Sequence, residues 1–544
     1  MTASSPAVDH VRAWIAADPD PATRAELQRI VDAGDIEELA SRFAGHVEFG
    51  TAGLRGPLGA GPNRMNAAVV RAASAALARW LLDDDVAGRG VVVGFDHRHG
   101  SASFARDTAG VLAAAGIPVR LAVRQWPTPV TAYAVRHFGA AAGVMVTASH
   151  NPAADSGYKV YDGTGSQIVP PVDARISAGI DAAGPANEIP CEPSSTRIEP
   201  IGDDALAAYL DVASSAIPAG PRALRVVYTP VHGVGLDVFR SLWARAGFAP
   251  PIVVEEQAQP DPDFPTAPFP NPEEPGVLDL ALERARRERA DLVLANDPDA
   301  DRLAVACPDG DEWRVLTGDE IGALLGAHML AQTSGDDRVV ARSIVSSTLL
   351  DRIAEAAGVP SRATLTGFKW ISRAGDADDR RLIFGYEEAL GYAVSPHVRD
   401  KDGLTAALAI ADLAARGSLG DALAHLAEVH GLHATAQWSM RFDDAAHAAE
   451  FTAKFRSAPP SELGGVPVAR VVDYLGGVDG LPPTDLVGFE LTDGGRALVR
   501  PSGTEPKVKC YFEVVEAPAD TARARARLAA LGTAFEQVAG TMPR

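Results

Sequence analysis

The sequence predicts a multidomain α/β protein: three similar α/β domains, each on a mainly parallel sheet, followed by a C-terminal α+β domain. Three observations predict it. The chain has 544 residues, more than one hydrophobic core organises, so at about 150 residues per domain it divides into three or four. A short apolar run, an amphipathic helix and a glycine break recur three times, which is the pattern of a βαβ unit. From about His430 onward that pattern stops, and the chain closes on two strand-like runs, Ala497-Leu498-Val499 and Val508 to Val515.

In chain order, residues 1–44 read as a helical N-terminal extension. The first copy, in a domain spanning 45–218, opens with Val91-Val92-Val93, runs through a helix from Phe104 to Ala115 and breaks at Gly116-Ile117-Pro118. The second, in 219–317, starts at Val226-Val227, passes through a helix around Phe239 to Ala246 and breaks at Gly247 before Ile252-Val253-Val254. The third, in 318–430, starts at Val339-Val340, continues through Leu349 to Ala357 and breaks at Gly358-Val359-Pro360. These starts lie more than a hundred residues apart, so the copies are duplicated domains rather than solenoid units. Residues 431–544 form the α+β domain. The stretch from Pro260 to Pro275 holds too much proline for a regular helix or central strand and is expected to be an ordered or semi-rigid surface loop.

Composition narrows the function. Hydrophobic residues make up 47% and charged residues 22%, so globular packing is expected throughout. The formal net charge of −21 opposes nonspecific contact with nucleic acid or anionic lipid, and an anionic substrate must be met by local cations. Cys191, Cys307 and Cys510 lie far apart without metal-ligand spacing, as in a reduced protein. The N-terminus shows no export signal, and no apolar stretch reaches the roughly 18 residues that cross a bilayer, so the expected location is the cytoplasm.

Chemistry concentrates in a few segments. In Thr147-Ala148-Ser149-His150-Asn151-Pro152 a serine follows the apolar run Ala141 to Val146, so a strand would present its hydroxyl at the mouth of a sheet; a polar loop capped by Asn-Pro is the alternative. In Asp297-Pro298-Asp299-Ala300-Asp301-Arg302 three carboxylates alternate, and an extended loop would turn them toward one hard cation such as Mg²⁺. An EF-hand fails, because the sixth position is Arg302 and the twelfth Pro308; a solvated acidic turn stays open. Arg500, Ser502, Gly503, Thr504 and Lys507 gather donors around a glycine, as a phosphate cradle or a tight turn between strands would.

Lys159 lies in a strand-like run that could return it beside Ser149 as a general acid or base. Arg55, in a glycine-rich loop, and Lys369, in Gly367-Phe368-Lys369-Trp370, are too generic to assign alone. Glu387 and Glu388 could accept sugar hydroxyls or mark a helix N-terminus.

Four segments in chain order, Thr147 to Pro152, Asp297 to Arg302, Gly385 to Tyr392 and Arg500 to Lys507, resemble the α-D-phosphohexomutase superfamily of phosphoglucomutases and phosphomannomutases. The resemblance covers nearly the whole chain and implies a heart-shaped, four-domain architecture. It implies Ser149 as the phosphorylated carrier, with Asp297, Asp299, Asp301 and a phosphate oxygen on Ser149 holding Mg²⁺. It implies Lys159 as general base, Arg55, Arg302 and Lys369 as aids to transfer, Glu387, with Glu388 and His150, as substrate contacts, and Arg500 to Lys507 as the grip on the other phosphate. Two positions depart from the commoner pattern: Ala389 stands where many members carry Ser, and Pro298 where many carry Gly. The Glu-Glu-Ala, Gly-Phe-Lys-Trp and Gly-Thr-Ala-Gly-Leu-Arg-Gly segments look like the branch that includes phosphopentomutases and glucose-1,6-bisphosphate synthase.

The expected protein is a phosphosugar mutase, monomeric or homodimeric, that interconverts the 1- and 6-phosphates of glucose or mannose through phospho-Ser149, with Mg²⁺ and a sugar bisphosphate such as glucose 1,6-bisphosphate as activator. Closure of the fourth domain would keep water from the phosphoserine. Phosphopentomutase, glucose-1,6-bisphosphate synthase, a metal-dependent phosphatase and a noncatalytic phosphosugar-binding protein are the alternatives.

Overall fold

The apolar runs become sheet strands, and the helices between them cover the faces. The computed structural model describes residues 8–50, 53–442, 445–478, 480–501 and 507–540. By contacts it divides into one unit of Met1–Val315 with Gly391–Ala415 and another of Leu316–Leu390 with Arg416–Arg544.

The first unit contains a seven-stranded sheet in the order Phe49–Gly50, Gly53–Pro57, Asp155–Asp162, Ala142–Val146, Val91–Phe95, Val119–Ala122, Ile198–Ile201. Its centre is parallel: Val91–Phe95 pairs in parallel with both Ala142–Val146 and Val119–Ala122. Strands of that kind are buried on both faces, which explains why Val91-Val92-Val93 and Ala142–Val146 are continuous apolar runs. Helices Ala67–Asp83 and Ser101–Ala114 contribute Val69, Leu77 and Leu112 to the core that holds Val93, Val144 and Tyr158. Asp155–Asp162 then runs antiparallel to Ala142–Val146 and sets Met145 opposite Lys159.

A second, five-stranded sheet of this unit runs Glu312–Val315, Ala304–Asp309, Leu292–Ala295, Val226–Thr229, Ile252–Val253. Leu292–Ala295, wholly buried, lies parallel to Val226–Thr229 and delivers the chain directly into the acidic loop. Helix Gly403–Ala414 also belongs here. It is buried from Gly403 to Asp412, and Asp402 caps it by accepting from the amides of Leu404 at 3.0 Å and Thr405 at 3.1 Å. Burial pushes the Asp402 carboxyl up to about 6.

In the second unit, Ser361–Thr364 and Arg381–Glu387 flank Arg338–Ser343, all parallel. A six-stranded antiparallel sheet follows, in the order Leu432–Arg441, Lys507–Glu516, Arg496–Pro501, Val487–Leu491, Val466–Asp473, Glu462–Leu463. Helices Ala445–Ser457 and Thr521–Gly540 give Phe451, Phe455 and Phe535 to its core. Cys191, Cys307 and Cys510 form no disulfide, and no helix among the described residues is long and apolar enough to cross a membrane.

Gly157 shows how tightly the first sheet is drawn under the Thr147 loop. A Cβ there would meet the Thr147 carbonyl oxygen at 2.5 Å and that of Leu54 at 3.0 Å, both backbone atoms with little freedom to yield. Gly157→Ala is expected to cost about 1–3 kcal/mol, read as earlier thermal unfolding than the parent protein.

Candidate active site

The buried strand Ala142–Val146 ends in a sharp turn. The Thr147 hydroxyl accepts from the Ser149 amide at 2.9 Å, and Ser149 takes a left-handed backbone with φ 53°. A non-glycine residue holds that conformation at a cost of about 1–3 kcal/mol, so the surroundings must impose it. Arg98 does so. Its guanidinium donates to the carbonyls of Ser149 at 2.6 Å, Pro152 at 2.8 Å, Asp155 at 3.2 Å and Asn151. Asp96 lies 3.6 Å from Arg98, and both side chains are fully buried.

The turn aims the Ser149 hydroxyl at Asp297, where it donates to Oδ2 at 2.7 Å. His150 Nδ1 lies 3.2 Å from the same Oγ, and Asn151 accepts from Arg55 at 2.9 Å. Asp297, Asp299 and Asp301 do converge, but not through an extended loop. The Ala300 amide donates to the Asp297 carbonyl at 2.8 Å, and Ala300 turns left-handed with φ 57°, so a tight turn gathers the carboxylates. The Arg302 amide donates to Asp297 at 3.0 Å, and the Thr128 hydroxyl, in the first turn of helix Thr128–His137, donates to Asp299 at 2.6 Å.

Lys159 returns beside this loop as its strand pairing requires, and its ammonium donates to Asp299 and Asp301 at 2.8 Å each. Burial opposes its charge, but Asp299 and Asp301 outweigh burial and hold the pKa above its ordinary value. Lys401 adds a second ammonium 3.3 Å from Asp301 and 3.4 Å from Asp400, which itself accepts from Tyr161 and Gln167. Burial raises Asp301 as well, yet Lys159 and Lys401 prevail and keep it below the carboxylate range. Asp299 is likewise low: burial and Asp301 raise it, and Lys159 and Thr128 outweigh them. Asp297 goes the other way, pushed well up by burial and by repulsion from its two neighbours. His150 is kept neutral by burial and by the charges of Arg302 and Arg55.

This donor set fits a metal ion. Oxygens of the three aspartates all lie within 4.8 Å of one another, and Asp299 Oδ1 and Asp301 Oδ1 are buried without a hydrogen-bond partner. A solvated acidic turn is ruled out, since all three residues are fully buried. Carboxylate oxygens are hard ligands, and a divalent cation would favour the charged form of Asp297 that burial and its two neighbours oppose.

The second unit assembles another group. Glu387 ends strand Arg381–Glu387 and accepts from the Gly367 amide at 2.6 Å, so the pair of glutamates sits at a strand end and not at a helix N-terminus. Glu388 turns to Ser343 at 3.0 Å and Ser346 at 3.1 Å, and burial and Glu387 press its carboxyl above the ordinary range. Lys369 is buried in helix Phe368–Ile371, with Nζ 5.7 Å over the Trp370 ring. Arg500, near the end of strand Arg496–Pro501, donates to the Thr366 hydroxyl, one residue before Gly367. Lys507 begins the partner strand of this antiparallel pair. Ser502, Gly503 and Thr504 lie outside the described residues.

Sequence reading missed Arg98, Lys401, Thr128 and Thr366. Arg98 carried a signal: it follows the strand Val91–Phe95 in a polar loop ended by Gly100, as Ser149 follows its own strand. Lys401 sits in Arg399-Asp400-Lys401-Asp402-Gly403, which reads as helix capping and conceals its role.

Four profiles described as phosphoglucomutase/phosphomannomutase match the chain in order: α/β/α domain I over residues 46–186, domain II over 204–310, domain III over 317–430 and the C-terminal domain over 468–531. A Haemophilus influenzae protein named "Probable phosphomannomutase" is 42% identical over 82% of this chain and 93% of its own length. A Mus musculus phosphopentomutase is 36% identical over 93% of this chain and 90% of its length, and a glucose 1,6-bisphosphate synthase of the same organism 35% over 93% and 89%. In fold, the chain is similar to a Paramecium phosphoglucomutase, pp63/parafusin, with TM-score 0.70 at 20% identity, covering 93% of this chain and 97% of that one.

Arg98 is the group whose loss the turn should feel most. Arg98→Met keeps the volume, removes the donors to the turn's carbonyls and leaves Asp96 buried without its counter-ion. The expected cost is about 3–5 kcal/mol in denaturant or thermal unfolding, and Arg98→Lys, which restores charge without the planar fork, should recover only part of it.

Proposed function

Since the chain belongs to the phosphoglucomutase/phosphomannomutase family of mutases, we propose that it moves a phosphoryl group between two hydroxyls of one phosphosugar by way of Ser149. The hydrogen bond of Ser149 Oγ to a buried aspartate cluster, 2.7 Å from Asp297, carries this reading. Mg²⁺ is the cation we assign to Asp297, Asp299 and Asp301; when bound it would withdraw charge from the transferring phosphoryl group.

Phospho-Ser149 gives its phosphoryl group to the free hydroxyl of a hexose 1-phosphate: a bond from phosphorus to the sugar oxygen forms, and the bond to Ser149 Oγ breaks. The sugar proton ends on Ser149 Oγ. Lys159, protonated between its two aspartates, is suited to deliver a proton to that oxygen and to take the sugar's in exchange. Arg55 and Arg302 stabilise the moving charge, and Glu387 holds sugar hydroxyls. The bisphosphorylated sugar then returns its other phosphate to Ser149. Lys369 assists the transfer, and Arg500 and Lys507 supply cations for the phosphate that is not reacting.

We assign glucose and mannose phosphates as substrates. A pentose phosphate is the second reading, favoured by full-length relatives named phosphopentomutase and by Ala389, which lacks a hydroxyl beside the two glutamates.

The assay supplies Mg²⁺, a trace of glucose 1,6-bisphosphate and, in parallel, the 1-phosphates of glucose, mannose and ribose. An isomeric sugar phosphate is expected, with a loss of more than about 10³-fold in Ser149→Ala. Inorganic phosphate as the product would mean a phosphatase instead. Apart from activity, saturating Mg²⁺ should stabilise the protein by about 2–3 kcal/mol at a hundred times its dissociation constant, and Asp299→Asn should remove most of that gain.

A further inference from the structure

The proline-rich stretch has so far no part in the chemistry, yet its anchors converge on the serine turn. Phe264 is fully buried, with φ 47°, and its ring lies 4.8 Å from the Arg98 guanidinium and edge-on to His97 at 5.3 Å. Asp263 pairs with His99 at 2.7 Å, and Thr266 with His232 at 2.8 Å. Past the bend, Asn271 is buried; its amide donates to the Phe269 carbonyl at 2.8 Å, and Glu273 reaches Arg302 at 3.7 Å. The loop is therefore fastened on one side to Arg98, which shapes the turn, and on the other to an arginine of the acidic loop.

Between these anchors stands Phe269, with Pro268 and Pro270 on either side. It is 38% exposed and is the one aromatic among the exposed large apolar side chains of the described residues. Its ring centroid lies 6.2 Å from that of His150, whose Nδ1 is 3.2 Å from Ser149 Oγ. At 38% exposure the ring forgoes only part of the roughly 1.5–3 kcal/mol that full burial would give, and prolines on both sides leave it little freedom to fold away. A fixed apolar face one ring away from the reacting hydroxyl is suited to the C–H face of a sugar, which stacks on aromatic rings while its hydroxyls point elsewhere.

We propose that the loop from Pro260 to Pro275 is part of the substrate site, with Phe269 as the apolar wall that takes the C–H face of the phosphosugar beside Ser149. The inference rests on the phosphosugar reading above and adds a residue that recognises the sugar and not its phosphate.

Calorimetry in Mg²⁺ tests it, with glucose 1-phosphate, ribose 1-phosphate and inorganic phosphate titrated into the parent protein and into Phe269→Ala. Both sugar phosphates should bind the variant about 3–10-fold more weakly and inorganic phosphate equally well, with Phe269→Tyr restoring the sugars. Unchanged sugar affinity would overturn the proposal, as would an equal loss for inorganic phosphate, which would make the ring a prop for the loop. A parent protein that binds the sugar phosphates but isomerises none of them sinks the mutase reading, and the same ratio still decides the role of Phe269. Binding of none of them sinks both.

Discussion

Lys159 held between Asp299 and Asp301 in a dry interior is the interaction on which the rest of the site depends. Three buried carboxylates repel one another, and without cations they would be protonated or forced apart. Lys159 alone does not settle the balance, so Lys401 and Asp400 are drawn in, and Tyr161 and Gln167 bind the far side of Asp400. The cluster couples the strand Asp155–Asp162 to the loop after Leu292–Ala295 and to the cap of helix Gly403–Ala414. One carboxylate, Asp297, is left over, and it is the one that faces Ser149. The arrangement stabilises the fold and at the same time leaves one carboxyl, Asp297, whose charge would need a cation to hold it.

Backbone strain is found at the site as well. Ser149, Ala300 and Leu390 all take left-handed conformations without being glycine, and each lies in a turn that follows a strand. Such conformations persist only where packing and hydrogen bonds over-determine them. At Ser149 the Thr147 hydroxyl and the Arg98 fork do this, and at Ala300 the amide bond back to Asp297 does. Rigid parallel strands set the position, and short strained turns set the aim.

The βαβ runs were legible because parallel strands buried on both faces leave unbroken apolar segments, and Val91–Phe95, Val226–Thr229 and Arg338–Ser343 all fall on them. The acidic triad and Ser149 were legible too, since chemistry confined to a few adjacent residues is visible in one dimension. Arg98 and Lys401 were harder to see, because Ser149 and Asp301, the groups they hold, lie more than fifty residues away in sequence. The geometry of the acidic loop was misread for a different reason. Alternation suggests an extended strand, but nothing in Asp-Pro-Asp-Ala-Asp announces a left-handed alanine.

Arg98 binds the serine turn entirely through carbonyl oxygens, the part of a residue that every amino acid shares. Apart from the Thr147 hydroxyl, the shape of the loop is thereby less dependent on which side chains it carries. A different side chain at 150 or 151 would leave those carbonyls in place and the hydroxyl on its bearing, while giving up the His150 contact with Ser149 or the Asn151 bond to Arg55. A lineage could retune which sugar it accepts by altering neighbours of the nucleophile, without having to rediscover how to point it.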